Sequence, residues 1–221
     1  MFASKPIPSN KNMPLKFVPS IYLVDAHDLL CDKSICYRKY ISQLSKQLAI
    51  NICSEYLAVP KKELHISKNK YGKPYIAEKP DFFFNISHSG RWFGCAVANH
   101  NIGFDIQEIV PKYLNLVTTK LFSKSEIEYI NFNKEETNYR FFKIWGAKES
   151  FVKCIGTGFY TPLSSFTVDN KMIKYNGKNY YLYYPHAPNN YVLTVCTATK
   201  ICDFEVHYKP INEVVHSLKV Q

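Results

Sequence analysis

From Ile35 to Leu57 apolar residues recur at helical spacing with no Gly or Pro, which predicts one long helix. Before it, "SIYLVD" (20–25) reads as a strand, and after it "YGKPYI" (71–76) is a Gly-Lys-Pro turn that presents Lys73 at a bend. Short runs rich in β-formers follow at Phe82–Ile86, Trp92–Ala98 and Ile102–Ile109, each bounded by Gly, Asn, Ser or His, and these predict a small sheet. The pattern then turns helical. "SKSE" (123–126) has capping-box spacing, and a second long helix is expected from about Glu135 to Ile155, closed by Gly156 and Gly158. Beyond it, "SSFTVD", "MIKYN", "NYYLYYP", "YVLTVCTAT" and "DFEVHYK" alternate or run apolar between Asn, Gly and Pro breaks, as strands of a second sheet do. The order predicts an α+β fold in two comparable halves, 1–110 and 111–221.

Composition narrows the class. At 221 residues the chain can bury a core without disulfide or metal staples, and 15% aromatic with 21% charged residues suits a globular protein. No apolar run approaches the ~20 residues of a membrane span. The first twenty residues lack the apolar stretch of a secretion signal and read as a loose arm, so a cytoplasmic protein is expected. Seven cysteines, none in a C-x-x-C pair and most within apolar runs, suit reduced, buried thiols. An excess of 28 basic over 18 acidic residues gives a formal charge of +10 and calls for an anionic partner. Nucleic acid is one such partner, and 17 Tyr and 15 Phe would serve base stacking, yet no recognised nucleic-acid motif accompanies them.

The chemistry gathers in three stretches. On the second long helix, Phe142, Glu149 and Lys153 project within roughly 40° of one another, with Trp145 beside them. As an exposed i,i+4 pair, Glu149 and Lys153 would contribute only about 0.2–0.5 kcal/mol. Flanking aromatics instead supply the partly dry wall on which a carboxylate and an ammonium hold a metal and a phosphate. In an extended strand Asp105 and Gln107 share one face, and with Glu149 they make half of an octahedral oxygen shell for Mg²⁺. Asp105 alone also suits a strand-end turn.

"FNISHSG", "IGFDIQ" and "WGAKESFVKCIGTG" together resemble the three signature blocks of the Sfp-type 4′-phosphopantetheinyl transferases, in the same order and at similar separations. The resemblance implies two α+β halves related by pseudo-twofold symmetry with the active site at their junction. It implies transfer of the phosphopantetheine arm of coenzyme A to a serine of an acidic acyl or peptidyl carrier protein, with Mg²⁺ as cofactor and release of adenosine 3′,5′-bisphosphate. Asp105, Gln107 and Glu149 would then be metal ligands, although the family often has Glu where this chain has Gln107. Glu149 and Lys153 would be catalytic, with Lys153 also on the phosphates. Lys73, Ser87 and His88 would bind the nucleotide part, and Arg38, Lys39 and Ser42 on the first helix are candidates for the 3′-phosphate. Glu126 is a further carboxylate in the family's catalytic region, and its capping-box position accounts for it equally well. A strip from Thr118 to Phe132 is expected to select the carrier. Both sides of the site come from one chain, so a monomer is expected. A protein that binds coenzyme A without turnover is the alternative that Gln107 leaves open.

Overall fold

The computed structural model describes residues 17–29, 35–111 and 118–219. Most of the expected N-terminal arm lies outside them. Two sheets are each covered by one long helix. The first has the order β11 (Glu205–Tyr208), β1 (Ser20–Asp25), β5 (Trp92–Ala98) and β4 (Phe83–Ser89), under α1 (Ile35–Leu57) and α5 (Ile211–Lys219). The second runs β6 (Ile102–Glu108), β10 (Tyr191–Thr197), β9 (Lys178–Tyr183), β8 (Met172–Tyr175) and β7 (Val168–Asp169), under α4 (Thr137–Ile155). Short helices α2 (Thr118–Leu121) and α3 (Lys124–Asn131) precede α4, and a hairpin of β2 (Ile66–Lys68) and β3 (Pro74–Ile76) stands apart. This is the α+β class that the pattern predicts. Each sheet also borrows from the other half of the chain: β6 pairs with β10, while β11 returns to lie parallel to β1. No helix among the described residues is long and apolar enough to cross a membrane.

The continuous apolar runs now have a cause. In β5, Phe93, Cys95 and Val97 face α1, while Trp92, Ala96 and Ala98 join Ile102, Phe104 and Ile106 of β6 and Leu193 and Val195 of β10 in a cluster shared by both sheets. A strand buried on both faces has no polar side to show, so alternation disappears. Cys53, Cys95, Cys154 and Cys196 are free and buried, as expected, whereas Cys202 is free and exposed.

The two sheets meet without a backbone ladder between β4 and β6. Asn85 Oδ1, Ser87 Oγ and Ser89 Oγ accept from the N–H groups of Phe104 (2.9 Å), Ile106 (3.3 Å) and Glu108 (3.0 Å). Three side chains at period 2 thus satisfy the N–H groups that an edge strand would leave bare. The N-x-S-x-S spacing inside "FNISHSG" is the sequence form of that seam.

Candidate active site

The seam delivers Ser87 to the middle of the site. Its Oγ donates to Asp105 Oδ1 (2.8 Å), and Lys153 Nζ donates to the same hydroxyl (3.0 Å), to Asp105 Oδ1 (2.6 Å) and to Phe104 O (3.2 Å). Gln107 Nε2 donates to Asp105 Oδ2 at 2.8 Å, so strand alternation does put residues 105 and 107 on one face. Asp105 is 1% exposed. α4 can approach β6 this closely because Gly103 lies between them: a Cβ there would overlap the backbone of Ser150 and Cys154. Two residues after that contact, Asp105 faces the helix and meets Lys153.

Glu149 lies one turn before Lys153 on α4 and is half-buried. Burial, then the charge of Asp105, pushes its carboxyl up to about 7, against the opposing effect of Lys153. A carboxyl whose ionisation is opposed by a neighbouring carboxylate marks a cation site in electrostatic terms, because a divalent ion between the two would remove that repulsion. Thr194, opposite Asp105 in the β6–β10 register, adds a buried hydroxyl with no hydrogen-bond partner among the described residues. The donor set fits a hard cation that keeps water and substrate oxygens in its remaining positions. It is a sparse set. Among the described residues no cluster of three or more His, Cys, Asp or Glu could hold a metal ion, and the third candidate donor here is the amide of Gln107.

Next to these groups lies a cavity of about 490 Å³ whose lining includes Lys46, Ile50, Tyr71, Pro74, Phe84 and Lys153. It is bounded by α1, the β2–β3 hairpin, β4 and the end of α4, so Lys153 joins it to the carboxylates. His88 lies on β4 and carries an imidazole whose pKa is lowered by desolvation and by Lys153, with Asp105 opposing. It therefore feels both charges of the site.

The other expected nucleotide-binding residues are placed less directly. Ser42 is half-buried on α1, one turn before the lining residue Lys46, while Arg38 and Lys39 are exposed near that helix's start. Lys73 lines the cavity, but its ammonium is engaged with two backbone carbonyls, Cys154 O (2.9 Å) and Ile102 O (3.2 Å). Ser87, expected on the nucleotide, has its hydroxyl directed to Asp105 and Lys153.

Glu126 forms the capping box read from the sequence, accepting Ser123 N–H on Oε2. Its other oxygen accepts Val168 N–H (2.7 Å) and pairs with Lys148 Nζ at 3.0 Å, with both side chains 1% exposed or less. Lys148 also donates to Leu163 O and Phe166 O, and burial lowers its pKa against the pull of Glu126. Sequence reasoning missed this pair. A lysine inside a polar-looking "AKES" carries no sign of burial; its only signal is the 22-residue separation from an acidic cap.

Two sheets joined at a seam, and at that seam a buried Asp, a half-buried Glu and a Lys beside a cavity, make an arrangement whose chemistry suits a cation and a phosphate. Comparison with known proteins gives the arrangement its family. A profile described as the 4′-phosphopantetheinyl transferase superfamily matches residues 101–196, and one described as 4′-phosphopantetheinyl transferase, N-terminal, matches residues 37–100. The chain belongs to the 4′-phosphopantetheinyl transferase superfamily. It is 39% identical over 126 residues to the 4′-phosphopantetheinyl transferase Sfp of Bacillus subtilis, covering 57% of this chain and 56% of that one. It is 32% identical over 161 residues to the 4′-phosphopantetheinyl transferase gsp of Aneurinibacillus migulanus, covering 72% and 61%. An L-aminoadipate-semialdehyde dehydrogenase-phosphopantetheinyl transferase of Mus musculus is 33% identical over 122 residues, covering 48% and 39%. The aligned parts thus span less than two thirds of each of these relatives.

Proposed function

We propose that the protein transfers the 4′-phosphopantetheine arm of coenzyme A to a serine of an acidic acyl or peptidyl carrier protein. The carrier Ser Oγ attacks the pyrophosphate phosphorus that bears the pantetheine, its P–O bond to the second phosphate breaks, and adenosine 3′,5′-bisphosphate leaves. The observation that carries this reading is the convergence of Asp105 and Glu149, 44 positions apart in the chain, around Lys153.

Asp105, Glu149 and the amide oxygen of Gln107 are the residues that would hold Mg²⁺. When bound there, the ion supplies Lewis-acid stabilisation of the pyrophosphate oxygens. Glu149, with a carboxyl poised near neutrality, suits removal of the carrier serine proton. Lys153 faces the charge that develops on the leaving phosphate, and Asp105 with Ser87 fixes its ammonium in place. The cavity between α1 and the hairpin takes the coenzyme, with Lys46 and Tyr71 on its wall, Ser42 one turn of α1 before Lys46, and His88 two residues along β4 from the lining residue Ile86. Lys73 is part of that wall, with its ammonium turned to the carbonyls of Cys154 and Ile102. In this reading the halves 1–110 and 111–221 are related by a pseudo-twofold axis, with β6 and β11 exchanged, and the protein works as a cytoplasmic monomer. Residues 118–132 serve as the carrier-selecting strip; side chains of 118 and 119 lie outside the described ones.

Intact mass of an apo carrier, after incubation with the protein, coenzyme A and Mg²⁺, tests the reading. Growth by one phosphopantetheine that is lost in Glu149→Ala supports it. No growth with any carrier, while coenzyme A is still bound, would make the chain a binder without turnover.

A further inference from the structure

The turn of the β2–β3 hairpin, residues 69–73, reaches the last turn of α4 from more than eighty positions away. Asn69 Nδ2 donates to Gly156 O (2.8 Å) and Lys73 Nζ to Cys154 O (2.9 Å). These are carbonyls at a helix C-terminus, where intrahelical partners run out and a cation also meets the negative end of the helix dipole. The same Asn69 braces its own turn, with Oδ1 accepting Tyr71 N–H and Lys73 N–H, both at 2.9 Å. Gly156, at φ +77°, leaves room for the contact: a Cβ there would stand 3.0 Å from Lys73 Cδ and 3.2 Å from Asn69 Nδ2. Lys73 Nζ reaches further, to Ile102 O at the start of β6 (3.2 Å). One ammonium therefore ties the hairpin to the two elements that carry Lys153 and Asp105.

We propose that Asn69 and Lys73 are positioning residues of the transfer reaction, clamping the last turn of α4 so that Lys153 stays against Asp105. This rests on the transferase reading above. The clamp differs from a phosphate-binding role for Lys73, because its ammonium is directed into the protein at two carbonyls. It also links the coenzyme to the catalytic helix. The hairpin supplies Lys68, Tyr71, Gly72 and Pro74 to one wall of the cavity, and α4 supplies Val152 and Lys153 to another. A ligand that presses on the turn presses on the clamp.

The test uses the full chain with Lys73→Met and Asn69→Ala, the second guarding against a misfolded first. Rates are measured with coenzyme A and with 3′-dephospho-coenzyme A, and amide exchange is followed without ligand. A lost clamp lowers kcat roughly 10–100-fold, since a misplaced catalytic group is costly. KM for coenzyme A changes by less than about 3-fold and the preference between the two coenzymes is kept, because Lys73→Met retains the bulk of the side chain on the cavity wall and Asn69 is not among the residues that line it. Exchange at residues 153–156 rises at least ~10-fold while amides of α1 keep their protection, as local rather than global opening requires. Lys73→Arg restores part of kcat. A raised KM with kcat kept, or a lost preference for the 3′-phosphate, would make Lys73 a phosphate ligand and overturn the proposal. Unchanged exchange at 153–156 in both variants would overturn it too. Wild-type protein inactive on every carrier refutes the transferase reading, and the exchange measurement then still decides whether the clamp exists.

Discussion

Lys153 Nζ lies 2.6 Å from Asp105 Oδ1, an ion pair between residues 48 positions apart whose acidic member is 2% exposed at its side chain. Ser87, on a third element, donates to the same carboxylate oxygen. The pair thus joins both sheets and α4 at one point, and stability and activity are coupled there.

Lys153→Met leaves Asp105 buried without its cation. Breaking a buried pair from one side costs about 3 kcal/mol. Removing an oriented cation from the proposed phosphate site lowers kcat/KM roughly 10²–10³-fold. Denaturant titration and steady-state rates check both. A variant as stable as wild type would show that Asp105 gains nothing from the pair.

Glu149 predicts the pH dependence. Its carboxyl moves from an ordinary value of 4.5 to about 7 in the folded chain, chiefly through burial and then Asp105. The folded state therefore binds this proton more tightly than the unfolded state. Stability falls as pH rises through that window, and the whole penalty is present above about 7. In chelator at pH 8, Glu149→Gln melts higher than wild type by a few degrees, on the order expected for a chain of this size. The gap closes toward pH 4.5 and narrows at pH 8 when Mg²⁺ is added. A gap independent of pH would refute the assignment.

Gln107→Glu replaces a donor to Asp105 Oδ2 with a third negative charge. The variant melts lower than wild type in chelator, gains more on adding Mg²⁺, and needs less Mg²⁺ for half activity. A Mg²⁺ requirement unchanged or raised would argue against direct coordination by residue 107.

Asn85→Ala removes the acceptor for the buried Phe104 N–H and costs about 1–3 kcal/mol. Ser87→Ala removes a seam contact and a donor to Asp105 together, so it lowers kcat as well. Equal effects of the two on kcat would contradict this division of roles.

Lys148→Met destabilises by about 3–5 kcal/mol because Glu126 is then buried unpaired. Changing both, as Lys148→Met with Glu126→Gln, recovers part of that loss and retains kcat. A double variant that is folded yet inactive would return Glu126 to the catalytic residues.

The pattern of the chain by itself determined the two long helices, most strands of the two main sheets and one face of the chemistry, but neither α5 nor the β2–β3 hairpin. Period 3.6 marks α1 and α4, short apolar runs bounded by Gly and Asn mark the strands, and period 2 puts Asp105 and Gln107 side by side. Helical spacing likewise puts Glu149 over Lys153. These are relations within a few residues, where backbone geometry alone fixes direction.

Only the tertiary structure decided what those groups meet. Strand runs buried on both faces gave no hint that β6 leaves its neighbours for the second sheet, or that Asn85, Ser87 and Ser89 replace a backbone ladder. Lys73 looked available at its turn and instead caps a helix formed eighty residues later, while Lys148, to which the sequence pattern assigned no role, is buried on Glu126. A side chain's partner depends on which distant backbone packing brings within about 3 Å, and local periodicity carries no information about that distance.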